Sequence, residues 1–320
     1  MSMSCHTATL RHAALLTLLG GALALGACEK SEPEATEATE ATEATEAAQE
    51  GAEEVELTFA FQPQENPEGL QLDAEKFAEF IEKETGYDVE IFLPTNYSAV
   101  VEALRSENAD VAYFSGLPYL VAHENAGAEL LVVEERDGHP YYYSQWYALA
   151  DSDIDSLADL KGRSIAFTSP TSTSGYLFPL GKVIDEGYLK ADQDPTEYFS
   201  NVIYAGGYQQ ALLALVNGQV DAAAASDYAL QQYLDEDQRA KVKVIERQGP
   251  VPTHGIAIRG DLPQEVKDNV RDALLKLNEP ENAELLESVY GADRIVARGH
   301  DEHVSELKRM RDLVGYEPRF

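Results

Sequence analysis

Apolar residues recur along residues 55–320 with two periods, and the periods alternate. Val55 to Phe61 alternates apolar and polar side chains, the signature of a strand, and Pro63 and Pro67 break it. From about Asp73 to Thr85, Phe77, Phe80 and Ile81 share one helical face, and Gly86 supplies the stop. The same reading predicts strands over Tyr87 to Phe92, Ala109 to Phe114 and Leu130 to Glu134. Helices over Ser98 to Ser106 and Leu117 to Glu124 fall between them. After an aromatic-rich strand, Tyr141 to Leu149, a second series begins. It has strands at Ser164 to Phe167, Val202 to Tyr204, Val220 to Ala224 and Val242 to Glu246. Its helices are a turn at Ile154 to Leu160, then Ser174 to Glu186, Gln209 to Val216 and Tyr228 to Leu234. A return strand at Ile256 to Ile258 leads to helices Gln264 to Lys276, Ala283 to Tyr290 and Asp301 to Val314.

Strands alternating with helices over short links predict α/β lobes, each a mixed, mostly parallel sheet flanked by helices. The order implies two lobes joined by two crossover strands, with the C-terminus returning to the first. The expected division is 55–145 plus 252–320 for lobe one and 146–251 for lobe two.

The first 54 residues obey neither period. Arg11 precedes an apolar run from Ala13 to Leu25 that is too short for a good membrane span and suits a secretory signal, residues 1–27. The run ends in Leu25-Gly26-Ala27-Cys28, which resembles the lipobox of bacterial lipoproteins; that likeness implies acylation (palmitate) of Cys28 after cleavage. Residues 28–54 then form an acidic tether with no aromatic residue, in which Ala-Thr-Glu recurs four times. As a flexible coil it would reach about 30 Å. The other of the chain's two cysteines, Cys5, leaves with the signal, so the body is expected to have no disulfide, thiol nucleophile or thiolate metal site.

Charge narrows the function classes. Residues 29–54 carry ten Glu and one Lys, and Arg11 adds one positive charge, so −25 of the net −33 belongs to residues 55–320. Nucleic acid is excluded as a partner, because a backbone binder needs a basic footprint. Anionic lipid is repelled too, which leaves the lipid on Cys28 as the membrane anchor.

Open α/β sheets bind ligands beyond the carboxyl ends of strands, where helix N-termini also point. Four strand-to-helix joints are rich in hydroxyls, glycines or aromatics. The sharpest runs from Phe167 to Tyr176, where Ser172, Thr173 and Ser174 exceed what a single helix cap requires. Surplus hydroxyls with free first-turn amides make a neutral cradle for an oxyanion, though a capped loop with spare Ser and Thr reads the same. Tyr204 to Gln209 places paired glycines before Tyr208; Pro94 to Ser98 carries Tyr97; Tyr113-Phe114-Ser115-Gly116 ends a strand. Each alone is a routine helix start. His254, before the return strand, is placed where the lobes meet, and Asp227 follows a strand end as a candidate acceptor. Tyr141, Tyr142, Tyr143 and Trp146 read first as a strand packed between the lobes. No Walker element, His-Glu-x-x-His pair or Gly-x-Ser-x-Gly elbow occurs, and Ser172 has no local base, so the chain is not expected to be an enzyme or to need a cofactor.

Several of these segments together resemble the phosphonate, phosphite and phosphate binding proteins of ABC importers. They are Asp159 to Gly162, Ser164 to Phe167, Ser169 to Pro179, Ala211 to Ala223, Asn96 to Arg105, Asp110 to Phe114 and the Pro-Val-Pro turn at 250 to 252. The resemblance implies a two-lobed, type II periplasmic-binding-protein-like fold that closes over its ligand outside the cytoplasmic membrane and serves a membrane permease. It implies that Tyr97, Ser172, Thr173 and the region of Phe114 hold the oxyanion. Phe114 lacks a phenol, which Tyr113 or Ser115 can replace, and Tyr208 stands where the family has a histidine. Aminoethylphosphonate binders also hold the amine with two carboxylates, and the matching positions here are Tyr228 and His254. A compact species such as phosphite, phosphate or methylphosphonate is therefore the expected ligand. No Arg or Lys stands in the four joints, consistent with neutral donors that avoid burying a charge. The same fold also allows a sensor-kinase partner in place of a permease, or a different small organic ligand. A monomer is the expected state.

Overall fold

The computed structural model describes residues 55–62, 67–191 and 193–317. The expected signal, Cys28 and the acidic tether lie outside the described residues, as does the break at Pro63. Two sheets organise the rest. Among the described residues the first has six strands and the second five.

Strand β1 (Glu56–Phe61) is buried at four of its six positions, with Leu57, Phe59 and Phe61 facing the helices α1 (Pro67–Thr85), α8 (Gln264–Leu275) and α9 (Ala283–Tyr290). It pairs in parallel with β2 (Asp88–Phe92) and β3 (Val111–Phe114), which α2 (Tyr97–Arg105) connects. Helix α3 (Gly116–Ala126) leads to β4 (Glu129–Glu135), and β10 (Gly255–Ile258) is inserted antiparallel between β3 and β4. The edge strand β11 (Arg294–Val296) completes this sheet.

In the second sheet, β5 (Tyr141–Leu149) lies between β8 (Ala222–Ser226) and β9 (Val242–Pro252), antiparallel to both. Strands β6 (Ser164–Phe167) and β7 (Asn201–Tyr204) extend it through parallel pairs. Its helices are α4 (Phe178–Asp185), α5 (Tyr208–Val216), α6 (Ala229–Tyr233) and α7 (Glu236–Arg239). Both sheets are mixed and flanked by helices, the two-lobed type II fold. Antiparallel pairs take a larger share than the strand-helix rhythm implies, because β5, β9 and β10 belong to the crossings and run back against their neighbours.

Two connections pass between the sheets. One runs from the end of β4 at Glu135 to the start of β5 at Tyr141, and the other from Pro252 to Gly255. They lie side by side: Glu134 N donates to His254 O at 2.9 Å, and Thr253 N to Pro140 O at 3.3 Å. The last helix, α10 (His300–Val314), packs on α3 of the first half and on α4 and β9 of the second. It buries Val304, Leu307, Met310 and Val314. Its approach to α4 is close enough that a Cβ on Gly181 would stand 2.8 Å from Met310 Sδ.

Four expectations are corrected. Pro67 opens α1 instead of ending a break, consistent with the fixed φ that suits proline to a first helical turn. The strand from Val242 continues through the expected Pro-Val-Pro turn to Pro252, because β5 supplies a ladder along its whole length. The helix expected from Ser174 to Glu186 divides into a wide turn, Thr173–Leu177, and α4. Strand β11 was not anticipated; its three residues are too few to show a period. No helix among the described residues is long and apolar enough to cross a membrane.

Candidate functional site

The polar residues singled out from sequence gather mainly where the halves meet. At the joint after β6, the wide turn is imposed locally. Ser172 accepts from Gly175 N at 3.0 Å, and a Cβ on Gly175 would fall 2.0 Å from Thr168 Oγ1, so only glycine fits. Thr173 reaches across: its Oγ1 accepts from Leu117 N in the first turn of α3, at 2.8 Å. The backbones are close there, since a Cβ on Gly116 would lie 2.9 Å from Pro252 Cγ. Ser115 caps α3 without a side-chain bond; its buried hydroxyl has no partner, while its N–H donates to Gln62 Oε1 at 2.7 Å. Ser172 and Thr173 thus spend an acceptor on backbone N–H groups and keep their hydroxyl hydrogens for another acceptor.

Ser174 ties this joint to a group of phenols. Tyr142 OH donates to Ser174 Oγ at 3.1 Å, and Ser174 Oγ lies 2.5 Å from Tyr208 OH. Behind it, Ser144 donates to Ser174 O at 2.6 Å and Gln248 Nε2 to Ser144 Oγ at 2.6 Å. Tyr228 stands beside Tyr142 and Tyr208, with ring centroids 5.4 and 6.2 Å away. Burial pushes the Tyr142, Tyr208 and Tyr228 phenols up, so they remain neutral donors at physiological pH.

At the crossings the cluster becomes charged. Tyr113 stacks on His254 with centroids 5.3 Å apart, and its hydroxyl donates to Glu134, a carboxylate only 1% exposed. Arg136 forks onto the same group, Nε at 3.1 Å and Nη2 at 3.0 Å from Oε2, and His254 Nδ1 is 3.4 Å from it. Burial alone would push the Glu134 carboxyl up, but Arg136 and His254 outweigh it and hold it down at about 2. Burial and the carboxylate both push Tyr113 up; Glu134 raises Arg136 against the opposing effect of burial. The Arg136 guanidinium also lies over the Tyr228 ring, 4.7 Å from its centroid.

Two other candidates are occupied differently. Phe114 is fully buried in the main hydrophobic cluster. Asp227 accepts from Arg247 Nη2 at 3.3 Å, and the same guanidinium covers the Tyr143 ring. Tyr97 opens α2 and is half-buried, after Asn96 caps that helix by accepting from Ala99 N at 2.9 Å. The sequence reading missed Glu134, Arg136, Ser144 and Gln248, and assigned Tyr142 to packing. It also expected only neutral donors, whereas Arg136 brings a side-chain cation into the cluster. A signal was present: Glu134 ends the apolar run Leu130 to Val133, and Arg136 follows it two residues on, the spacing of one strand face.

Two α/β halves, joined by paired crossings and meeting over neutral hydroxyls, define a two-lobed solute-binding protein. The profile of the ABC transporter phosphonate periplasmic substrate-binding proteins matches residues 59–303, and the chain belongs to that family, one of extracytoplasmic binding proteins and not of enzymes. It is 36% identical over 177 residues to the phosphate-import protein PhnD of Mycolicibacterium smegmatis, covering 53% of this chain and 55% of that one. The match therefore spans about half the length of that relative. It is 28% identical over 246 residues to the phosphonates-binding periplasmic protein of Escherichia coli, covering 74% of this chain and 71% of that one. Among solved structures it resembles a binding protein component of an ABC phosphonate transporter from Pseudomonas aeruginosa. There the TM-score is 0.69 at 25% identity, covering 81% of this chain and 86% of the other.

Proposed function

We propose that this protein captures a compact phosphorus oxyanion, such as phosphite, phosphate or methylphosphonate, between its lobes and delivers it to an ABC permease in the cytoplasmic membrane. The carrying observation is the 2.8 Å meeting of Thr173 Oγ1 with the α3 N-terminus, beside the unpartnered buried hydroxyl of Ser115. Thr173 and Ser115 bring hydroxyl hydrogens to this seam from the two halves, and neutral donors of that kind suit a tetrahedral anion. Relatives named for phosphate import and phosphonate binding support the same ligand class. The proposed division is 55–145 plus 252–320 against 146–251. In this reading the donors are Tyr97, Ser115, Ser172, Thr173, Ser174 and Tyr208, with Tyr113, Tyr228 and His254 completing the enclosure. Acylation of Cys28 tethers the monomeric protein to the membrane through residues 28–54. Ligand then shifts the population toward a closed form recognised by the permease.

Calorimetric titration of the purified, ligand-stripped protein with phosphite, phosphate, methylphosphonate and sulfate tests the ligand class. At least one phosphorus anion is expected to bind well above sulfate. Equal or absent binding of all four would overturn the proposal.

A further inference from the structure

We propose that Arg136 is a specificity-determining residue: its guanidinium fills, from within the chain, the place in the interlobe cluster that would otherwise welcome a ligand ammonium. This deepens the ligand assignment above and rests on it. The faces of aromatic rings attract cations, and a buried carboxylate beside them completes a site for a positively charged group. Tyr113, Tyr142, Tyr228 and His254 supply rings around the crossings, and Glu134 supplies the carboxylate. Left to themselves, these residues would favour a phosphonate carrying an amine.

Both attractions are already satisfied. Arg136 lies 4.7 Å from the Tyr228 ring centroid and binds Glu134 Oε2 through Nε and Nη2. The Tyr113 hydroxyl takes Oε1, and His254 Nδ1 stands 3.4 Å from Oε2. The guanidinium is anchored from behind as well: Nη2 donates to Tyr290 O at 2.8 Å and Nη1 to Gly291 O, at the carbonyl end of α9. It is held in place before any ligand arrives, and the Glu134–Arg136 pair has no net charge. An incoming ammonium must either displace an anchored cation or be buried beside it without a counter-ion. An anion ending in hydrogen or methyl meets neither penalty. Tyr142 links the corner to the oxyanion joint, its hydroxyl on Ser174 and its ring beside Tyr228.

Ethylphosphonate and aminomethylphosphonate test this, because they share a shape and differ in a methyl against an ammonium. In titrations of the ligand-stripped full chain, ethylphosphonate is expected to bind at least about tenfold tighter. In R136Q, Glu134 and Tyr228 are released and the ratio is expected to shift about tenfold or more toward aminomethylphosphonate. The neutral double variant E134Q/R136Q removes both charges without leaving either one buried alone. It is expected to bring the two affinities to within about threefold, which decides the matter should R136Q melt before it can be titrated. Equal binding of the two ligands by the unaltered protein would overturn the proposal, as would an unchanged ratio in a folded variant. Binding of no phosphorus anion at all sinks the ligand class, and this inference with it. Binding without discrimination against the amine sinks this inference alone.

Discussion

At the 168–175 joint, Ser172 and Thr173 each accept one backbone N–H and keep a hydrogen to give, and the Ser115 hydroxyl across the seam has no partner. At the crossings, Glu134 is bound on both oxygens and Arg136 is engaged by a carboxylate, two carbonyls and a ring. The first region is polar and incomplete; in the second the Glu134 and Arg136 charges close on each other and only the His254 Nδ1 lacks a hydrogen bond. A neutral hydroxyl left waiting inside a protein costs far less than an unpaired ion, so the incomplete set is built from hydroxyls and the complete one from charges. The contrast divides the labour: affinity for the anion should depend on the joint, while folding and the choice of the ligand's other end should depend on the corner.

The largest effect that can break this comparison is removal of Glu134. E134A leaves the Arg136 cation without its counter-ion and is expected to cost about 3–5 kcal/mol in denaturant unfolding. A loss below about 1 kcal/mol would show that the corner is no more structural than the joint.

Acid sharpens the comparison next, because only the charged side titrates. Glu134 is held at about 2 against an ordinary 4.5, so the folded state binds fewer protons than the unfolded chain between these values. Its contribution is complete above pH 4.5 and is lost as pH falls toward 2, about 3 kcal/mol in all. His303 on α10 adds an earlier step. Burial lowers it to about 4 from 6.5, aided by Arg298, so the native state resists its protonation and stability falls from pH 6.5 to 4. Unfolding free energy followed from pH 7 to 2 should decline in these two windows. H303N should shrink the higher one, leaving the smaller share of His300, which burial also lowers, and a curve unchanged by that substitution would contradict the assignment.

The smallest effect belongs to the joint and should appear in affinity instead. T173A deletes the hydroxyl facing Leu117 and is expected to weaken binding of the preferred anion by about 1.5–3 kcal/mol. An affinity within twofold of the unaltered protein, by calorimetry, would remove Thr173 from the ligand's contacts.

How legible each region was in the sequence follows from the same difference. The joints announce themselves because capping is local: Asn96 bonds Ala99 and Ser172 bonds Gly175, each three residues on. Strand and helix periods placed most elements within a few residues for the same reason. The corner is built by distant chain. Glu134 meets Tyr113 from 21 residues away, and Arg136 meets Tyr290 from 154, distances at which one sequence carries no pairing information. The extension of β9 to Pro252 was hidden similarly, since it depends on β5 as partner and overrides a turn composition. The hydroxyl-rich joint proposed to hold the oxyanion was visible in residue types, while the residue proposed to filter the ligand's other end was not.

The placement of α10 has a mechanical consequence. A helix that grips α3 on one side and α4 and β9 on the other cannot stay fixed to both while the halves change angle. It must travel with one and slide along the other, and the tight passage of Met310 past Gly181 is one of the seams available for that sliding. Closure of the proposed kind would therefore have to include shear, small side-chain displacements along a packed flank, in addition to any swing about the two connections.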